Sequence, residues 1–358
     1  MANGMKQSII KNASLAYSLL RTGQFAIQGT VLPWVDLIAT GKKRKTPKNY
    51  TEHLKQALPK IQKLLAKDAE NISQEFYPAQ VLFPENPLQH SLRIPQILKD
   101  AFLVAKRRES KKSHDFGPEA EDFTKGLPEY YTRNFHFQTS GYLGDTSAEL
   151  YEHQVEILFS GAADAMRRLI IPPLKVHLQN SDGEGLKFLE VGSGTGRLTK
   201  FMSLAFPKAQ ITSVDLSSFY LAKARKRLAK FKRIDFIQGA AEDLNFKDES
   251  FDAVYSCFLF HELPLNVREA VLKESLRLLK PLGFCGLVDS LQKNDDTDFQ
   301  WALDQFPQDF HEPFYKNYTQ IAMEMLFEKA GFKNIQSEIG FLSKAVSGVK
   351  GANSVEAR

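Results

Sequence analysis

The sequence predicts an α/β protein with a mostly parallel seven-stranded sheet, helices on both faces of that sheet, and a mainly helical N-terminal extension. Three observations predict this fold: short apolar segments alternate with helical ones from residue 187 to residue 349, a glycine-rich turn follows the first apolar segment, and residues 1–125 have a helical pattern with breaks. Strands that alternate with helices are typical of parallel sheets with right-handed crossovers. We therefore expect an extension over 1–125, an α/β domain over 126–350 and a tail over 351–358.

Within the extension, the first long apolar segment covers Ser8–Ile38 and is interrupted by charged residues, glycines and a proline. This pattern predicts an amphipathic helix that packs on the body of the protein or lies on a membrane surface. A basic linker, Gly41–Lys48, follows, and further helices are predicted over Tyr50–Lys67 and Pro95–Lys111. The polar run Glu109–Asp122 predicts a loop at the domain boundary.

The α/β domain begins with an aromatic stretch, residues 130–142. A long helix is predicted after it over Ser147–Leu169, with Ser147 as the N-cap. Strands and helices then alternate. Strands are predicted over 187–191, 210–214, 234–238, 251–256, 283–289, 334–341 and 343–349, and helices over 195–206, 217–229, 266–279 and 319–330. The last two strands would form a closing hairpin.

Charge is unevenly distributed along this chain, whose net charge is +5. Residues 1–112 contain 19 Lys and Arg against 8 Asp and Glu, a net +11, so the remainder carries −6. A basic extension on an acidic body could face the phosphates of a lipid surface or of a nucleic acid, or could be a solvated helical surface. Peripheral membrane contact through the extension is therefore one expectation. Nucleic-acid binding is less favoured, and the oligomeric state is not predicted.

The two cysteines, Cys257 and Cys285, lie in apolar runs and predict buried free thiols in a reducing compartment. The first residues lack a compact apolar run followed by a small-residue cleavage site. No stretch approaches the ~18–20 apolar residues that span a bilayer. We therefore expect a cytoplasmic location.

The most informative local pattern is the glycine-rich turn Glu190–Gly196, between a predicted strand and a predicted helix. Alternate glycines let the backbone turn sharply against a ligand, and such turns lie where parallel strands end. The third glycine comes one residue earlier than in the Gly-x-Gly-x-x-Gly turn that binds a pyrophosphate. Glu190, two positions before the first glycine, suits a cationic ligand with an amino group. S-adenosylmethionine has a sulfonium, an ammonium and no phosphate.

Three further strand ends would contribute to the same site. Asp215 ends the second strand and could accept both ribose hydroxyls, unless it caps the next helix, a role that Ser217 could take instead. Residues 238–244 follow the third strand, where a base could lie against apolar side chains. Residues 251–264 run from the fourth strand into a loop at the same sheet edge.

These segments resemble class I S-adenosylmethionine-dependent methyltransferases over about residues 187–288, and look most like the branch that includes the ubiquinone/menaquinone biosynthesis C-methyltransferases. The matching pieces, in the family's order and spacing, are Glu190–Gly196, Ser213–Ser217, Gly239–Leu244, Phe251–Val254 and Leu279–Phe284. The resemblance implies a Rossmann-like fold, S-adenosyl-L-methionine as cofactor and methyltransferase activity, but no acceptor. The flanking stretches Asn134–Gln138 and Phe310–Tyr315 are similar to stretches of a group of bacterial methyltransferases.

By this resemblance, Glu190, Gly192 and Gly194 would hold the methionine end of the cofactor, Asp215 the ribose, and Ala241 the adenine. The full set of implied cofactor contacts is Glu190, Gly192, Ser193, Gly194, Gly196, Asp215, Leu216, Ala241, Glu242, Ser256 and Cys257. The chain departs from the family at Ala240, where an acidic residue is frequent, and at Leu282, where a glycine is usual.

Methyl transfer needs an aligned acceptor and, where the acceptor has a proton, a group that removes it. Three histidines are candidates for a catalytic or substrate-contacting role, although each could instead anchor a loop: His261, His311 and His136. Cys257 follows Ser256 rather than a proline, which argues against covalent catalysis. His, Cys and carboxylate residues do not show metal-ligand spacing, so no metal is expected.

The sequence therefore predicts a methyltransferase that acts on oxygen or carbon of a small molecule, with a lipid-soluble or aromatic acceptor favoured. The Asn/Asp-Pro-Pro-aromatic motif of many amino-methyltransferases is absent. Two alternatives stay open: an RNA methyltransferase that uses the basic extension, and a non-catalytic module that binds the cofactor. The glycine spacing disfavours a nicotinamide oxidoreductase.

Overall fold

The computed structural model describes residues 2–42, 49–83, 87–116 and 118–352. Its sheet has seven strands in the order β3-β2-β1-β4-β5-β7-β6, and the first five are parallel whereas β7 runs antiparallel to β5 and β6. The strands are β1 (Lys187–Val191), β2 (Gln210–Asp215), β3 (Ile234–Gln238), β4 (Phe251–Cys257), β5 (Leu279–Ser290), β6 (Lys333–Gly340) and β7 (Ser343–Val349). The predicted mostly parallel sheet and its closing hairpin are confirmed.

Helices flank the sheet and form the extension. They are α1 (Ala2–Gly29), α2 (Leu32–Thr40), α3 (Tyr50–Ser73), α4 (Pro87–Ser110), α5 (Pro118–Glu121), α6 (Asp145–Leu158), α7 (Ala163–Arg167), α8 (Ile171–His177), α9 (Arg197–Ala205), α10 (Ser218–Arg227), α11 (Leu265–Leu278), α12 (Gln300–Asp309), α13 (Tyr315–Gln320) and α14 (Met323–Ala330). None of the helices in these described ranges is long and apolar enough to cross a bilayer.

The strand order reverses beside β1, which pairs with β2 on one side and β4 on the other. A crevice opens outside the carboxyl ends of parallel strands at such a reversal, and ligands bind there. The glycine-rich turn follows β1 directly, so the fold places it at this crevice.

The two faces of the sheet bury separate apolar clusters. Phe188 of β1 shares one cluster with Phe201 of α9, whereas its neighbour Leu189 shares the other with Val271 of α11. Successive side chains of a strand point to opposite faces, so β1 is covered on both sides. Leu64 of α3 belongs to the same cluster as Phe188, so the extension packs into the core of the α/β domain.

The predicted helix Ser147–Leu169 is wrong in two respects. It ends at Leu158, because Ser160 and Gly161 adopt positive φ angles of 49° and 79° where α1 packs against the chain. A Cβ at Gly161 would lie 3.1 Å from the carbonyl oxygen of Arg21. Ser147 is inside the helix rather than its N-cap, and its hydroxyl donates to the carbonyl of Gly141 at 2.7 Å.

The extension differs from prediction mainly in its helix ends. The apolar segment forms two helices, α1 and α2, and α3 and α4 confirm the two helices expected after the linker, with α4 beginning earlier than predicted. Within the predicted basic linker, residues 43–48 lie outside the described residues, as do 353–358 of the predicted tail.

Candidate cofactor cleft and acceptor pocket

The glycine-rich turn is shaped by backbone conformations that glycine adopts readily. Gly192 and Gly196 have φ angles of 65° and 77°. A Cβ at Gly192 would lie 2.8 Å from the side chain of Leu259, and one at Gly196 would lie 2.9 Å from Leu228. The first glycine therefore lets the loop after β4 approach the turn, and the third lets α10 approach it.

Glu190 lies at the base of the cleft beside this turn. The residue is 1% exposed, and within the described residues its Oε2 accepts no hydrogen bond. Burial raises the pKa of Glu190 to about 8. A carboxylate in this position needs a cation or hydrogen-bond donors from a ligand, since an isolated buried charge is costly.

Asp215 at the end of β2 holds the turn in place. Its Oδ2 accepts from the N–H of Gly194 at 2.7 Å, and its Oδ1 accepts from the N–H of Ser217 at 2.8 Å. Burial raises the pKa of Asp215 to about 6. Ser217 is the N-cap of α10, because its hydroxyl accepts from the N–H of Tyr220 at 3.1 Å. Asp215 therefore does not serve as that cap, and each of its oxygens keeps a lone pair for a ligand hydroxyl.

The cleft has a volume of about 70 Å³ and continues into a smaller void of about 40 Å³. Leu216, Ala241 and Glu242, three of the predicted cofactor contacts, line the smaller void. Tyr130 donates to Glu242 Oε1 at 2.6 Å, so the aromatic stretch before α6 folds over this end of the cleft.

Nine of the eleven predicted cofactor contacts line these two voids, and Gly192 and Asp215 line both. Gly196 and Ser256 line neither: Gly196 packs against α10, and the Ser256 side chain is buried. Cys257 lines the cleft, and burial raises the pKa of its thiol well above the usual range. That shift opposes thiolate formation, in line with the prediction that Cys257 is not a nucleophile.

A network of buried ion pairs contacts the glycine-rich turn, and the sequence did not predict it. Glu152 of α6 accepts from the Thr195 hydroxyl at 2.5 Å and from Arg197 Nε at 3.2 Å, and pairs with Arg167 at 3.1 Å. Burial opposes ionisation of Glu152, but the surrounding arginines outweigh it and lower its pKa. One carboxylate on α6 therefore ties the turn to three cationic side chains, since Arg227 also lies within 3.6 Å.

A cavity of about 220 Å³ adjoins the cofactor cleft. Tyr151 and Phe258 line both, so these two side chains form the shared boundary. The cavity is lined mainly by aromatic and aliphatic side chains, among them Trp301, Phe306 and Phe310. A third void of about 170 Å³, between α2, α4 and α6, shares Val155, Leu158 and several other lining residues with it.

The structure brings two of the three predicted histidines to this cavity. His261 Nδ1 lies 2.6 Å from Asp289 Oδ1, and burial opposes its protonation while Asp289 favours it more, raising the pKa of His261 to about 9. Burial likewise opposes protonation of His136, but the carboxylates of Glu312 and Glu262 together outweigh it and raise the pKa. His311 lines none of the described cavities, packs on Phe137, and burial lowers its pKa to about 4.

Comparisons with known proteins give one family match and several relatives. Residues 188–283 match the family described as "Methyltransferase domain". The chain is 30% identical over 161 residues to a fatty-acid O-methyltransferase of Mycolicibacterium smegmatis, covering 45% of this chain and 52% of the relative. It is 33% identical over 153 residues to a demethylmenaquinone methyltransferase of Thermotoga maritima, covering 42% and 62%.

A third relative is the ubiquinone/menaquinone biosynthesis C-methyltransferase of Desulfotalea psychrophila, 32% identical over 148 residues, which cover 41% of this chain and 56% of the relative. The chain thus spans about half to three fifths of the length of these relatives. The strand order, the glycine turn, the acidic ends of β1 and β2 and the family match lead to one assignment. Residues 188–283 match a methyltransferase domain, and the chain resembles class I S-adenosylmethionine-dependent methyltransferases, in particular the ubiquinone/menaquinone biosynthesis C-methyltransferase branch.

Proposed function

We propose that this protein transfers the methyl group of S-adenosylmethionine to an oxygen or carbon of a small apolar molecule held in the 220 Å³ cavity. The observation that carries the proposal is the boundary formed by Tyr151 and Phe258, which line both the cofactor cleft and the cavity. An acceptor in the cavity would approach the cofactor across this boundary. The bound cofactor supplies a methyl group already activated by its sulfonium.

The residues of the chain would bind and align the two reactants. Glu190 faces the ammonium group, Asp215 accepts from the ribose hydroxyls, and the aromatic walls exclude water from the acceptor. His261, held by Asp289 through Nδ1, keeps Nε2 for the polar end of the acceptor. Such alignment is the main requirement of a displacement at an activated carbon.

The shape of the cavity favours an acceptor with a long apolar part. The second void of about 170 Å³ continues from the cavity toward Leu32 of α2 and Ile97 of α4. Relatives named for fatty acids and for demethylmenaquinone support the same class of acceptor, since both molecules have long hydrocarbon chains. We propose that the polar head lies near His261 and the chain extends between the helices of the extension.

Membrane contact through the extension is a further part of the proposal. Phe25 of α1 is buried against the body, whereas Leu20, Ile27, Trp34 and Ile38 of α1 and α2 are exposed. Exposed apolar side chains on a basic segment suit a lipid surface from which an apolar acceptor could be taken. Sedimentation with vesicles that contain anionic lipids would test this contact.

The experiment that tests the proposed function uses S-adenosylmethionine labelled in its methyl group. Purified protein is incubated with fatty acids of graded chain length, with demethylmenaquinone and with cellular RNA. We expect label in an organic-soluble product. Label in RNA alone would contradict the proposal and favour the alternative of an RNA methyltransferase. Tight cofactor binding with no transfer to any acceptor would favour a non-catalytic module.

A larger side chain where the 220 Å³ cavity meets the 170 Å³ void is expected to weaken the binding of long acceptors. In the variant Val155→Trp, the larger side chain should raise KM for long-chain acceptors at least about tenfold, because about 1.4 kcal/mol of lost apolar burial has that effect. Short acceptors and cofactor affinity should change little. Val176→Trp, at a 63% exposed position of α8, is the matched control. An equal loss for short and long acceptors would contradict the proposed path of the chain.

Cofactor binding is expected to release a proton near neutral pH. With its pKa at about 8, Glu190 is mostly protonated at pH 7 in the ligand-free protein, and a ligand ammonium beside it would lower that pKa. The complex then binds fewer protons than the free protein, so affinity should rise with pH up to about 8 and level off above it.

Calorimetry with S-adenosylhomocysteine at pH 7, in buffers of different ionisation enthalpy, measures this release, and about 0.9 proton per ligand is expected. Glu190→Gln should abolish the release, while Glu184→Gln on the surface should leave it unchanged. Binding enthalpies that are the same in every buffer would show that Glu190 does not face the ammonium.

A further inference from the structure

Three side chains that are far apart in the sequence meet in a buried group between the cofactor cleft and the cavity. They are His136, which precedes α6, Glu262, which follows β4, and Glu312, which precedes α13. Their potential ligand atoms all lie within 4.8 Å of one another. His136 Nε2 is 3.3 Å from Glu312 Oε1 and 3.5 Å from Glu262 Oε1.

Glu312 is the member of this group that lacks suitable donors. The residue is 4% exposed, and within the described part of the chain neither of its carboxylate oxygens accepts a hydrogen bond. Glu262, by contrast, accepts from the hydroxyl of Tyr142. The imidazole of His136 is the near cationic partner of Glu312, and it is shared with Glu262. A buried carboxylate in such surroundings is stabilised by a cation or by a ligand that donates to it.

Among the residues that the structure describes, the nearest further basic side chain is already paired. His261 is the next basic group, with Nε2 3.9 Å from Glu262 Oε1, but its Nδ1 is already paired with Asp289 at 2.6 Å. Asp289 also accepts from the backbone N–H of Phe260 at 2.7 Å. The group and its surroundings thus contain three carboxylates and two imidazoles, an arrangement with acceptor atoms in excess.

We propose that His136 Nε2 and one oxygen each of Glu262 and Glu312 bind a divalent transition-metal ion such as Mn²⁺, Fe²⁺ or Zn²⁺. One imidazole with two carboxylates suits these ions, whereas Mg²⁺ and Ca²⁺ prefer oxygen ligands alone. The His261–Asp289 pair lies against Glu262 and resembles the hydrogen-bonded outer residues that orient metal ligands.

The position of the site gives the ion an open face. His136 lines the 220 Å³ cavity, and Glu262 lines the cofactor cleft. A water molecule or an oxygen of the acceptor can therefore complete the coordination from the cavity side. The ion would hold an acceptor oxygen beside the cleft, but metal binding itself rests on the three side chains and not on the proposed methyl transfer.

The test titrates the metal alone into the full chain after removal of bound ions with a chelator. Electron paramagnetic resonance of Mn²⁺ is expected to show one bound ion per chain, and elemental analysis of protein exposed to Zn²⁺ should give the same ratio. Glu312→Gln, which keeps the side-chain shape, is expected to weaken binding at least about 100-fold. Glu324→Gln on α14, paired with Lys344 outside the group, is the matched control and should bind as the unaltered chain does.

Calorimetry with S-adenosylhomocysteine on the same variants separates this inference from the proposed function. Normal cofactor binding by Glu312→Gln would show that the variant is folded, and His136→Asn provides a second variant if it is not. Absence of stoichiometric metal in the unaltered chain, or equal metal affinity in Glu312→Gln, would overturn the proposal. Absence of cofactor binding by the unaltered chain would instead contradict the proposed function, without affecting the conclusion on metal binding.

Discussion

Replacing Asp215 with alanine is expected to weaken binding of S-adenosylmethionine at least about 100-fold, because two effects combine. The carboxylate accepts from the N–H of Gly194 and from the N–H of Ser217, and so holds the glycine turn against the start of α10. It is also the proposed acceptor for both ribose hydroxyls. Hydrogen bonds to a charged group contribute about 1.5–3 kcal/mol each, and about 2.7 kcal/mol corresponds to a 100-fold change in Kd.

Isothermal calorimetry with S-adenosylmethionine and S-adenosylhomocysteine measures this effect. Asp235→Ala is the matched control, because Asp235 is an exposed aspartate on the neighbouring strand β3. Asp215→Asn keeps the side-chain volume but leaves a single acceptor oxygen, so an intermediate loss is expected. Unchanged affinity in Asp215→Ala would show that the cofactor does not lie at the end of β2.

Replacing Glu152 with alanine is expected to lower the free energy of unfolding by about 3–5 kcal/mol. The side chain is buried among Arg167, Arg197 and Arg227, and its removal leaves these cations without their shared carboxylate. The hydroxyl of Thr195 in the glycine turn also loses its acceptor. We therefore expect weaker cofactor binding to accompany the loss of stability.

Urea unfolding followed by circular dichroism provides the measurement. Asp145→Ala is the matched control on the same helix, because Asp145 is an exposed carboxylate in the first turn of α6. An exposed acidic side chain in a first helical turn contributes about 1 kcal/mol or less. Similar losses of stability in the two variants would mean that the network around Glu152 does not support the turn.

Much of the fold could be predicted because its signals are local. The strands β1 and β3 begin and end where the apolar pattern places them, and the hairpin of β6 and β7 follows from the same reasoning. The long helix after the aromatic stretch was predicted incorrectly at its end. Its break depends on Gly161 meeting α1, a contact between segments about 140 residues apart in sequence.

The candidate site likewise has parts that local sequence patterns predict and parts that they do not. The glycine turn and Asp215 are adjacent to strand ends, and a strand end in a parallel sheet fixes where a side chain lies relative to the crevice. Gly196 belongs to the same motif, but the structure uses it for helix packing. Spacing along the chain carries no information on whether a motif residue faces the ligand or the neighbouring helix.

The sequence by itself determined the mostly parallel sheet, the glycine turn and the class of cofactor, because all three depend on residues that are neighbours in the chain. The tertiary structure alone decided which histidines reach the 220 Å³ cavity, how the extension lines the adjoining void of about 170 Å³, and that His136, Glu262 and Glu312 meet. Those outcomes depend on packing between segments separated by 50 or more positions. Short-range patterns of polarity do not encode such distances, since many chain paths are compatible with the same pattern.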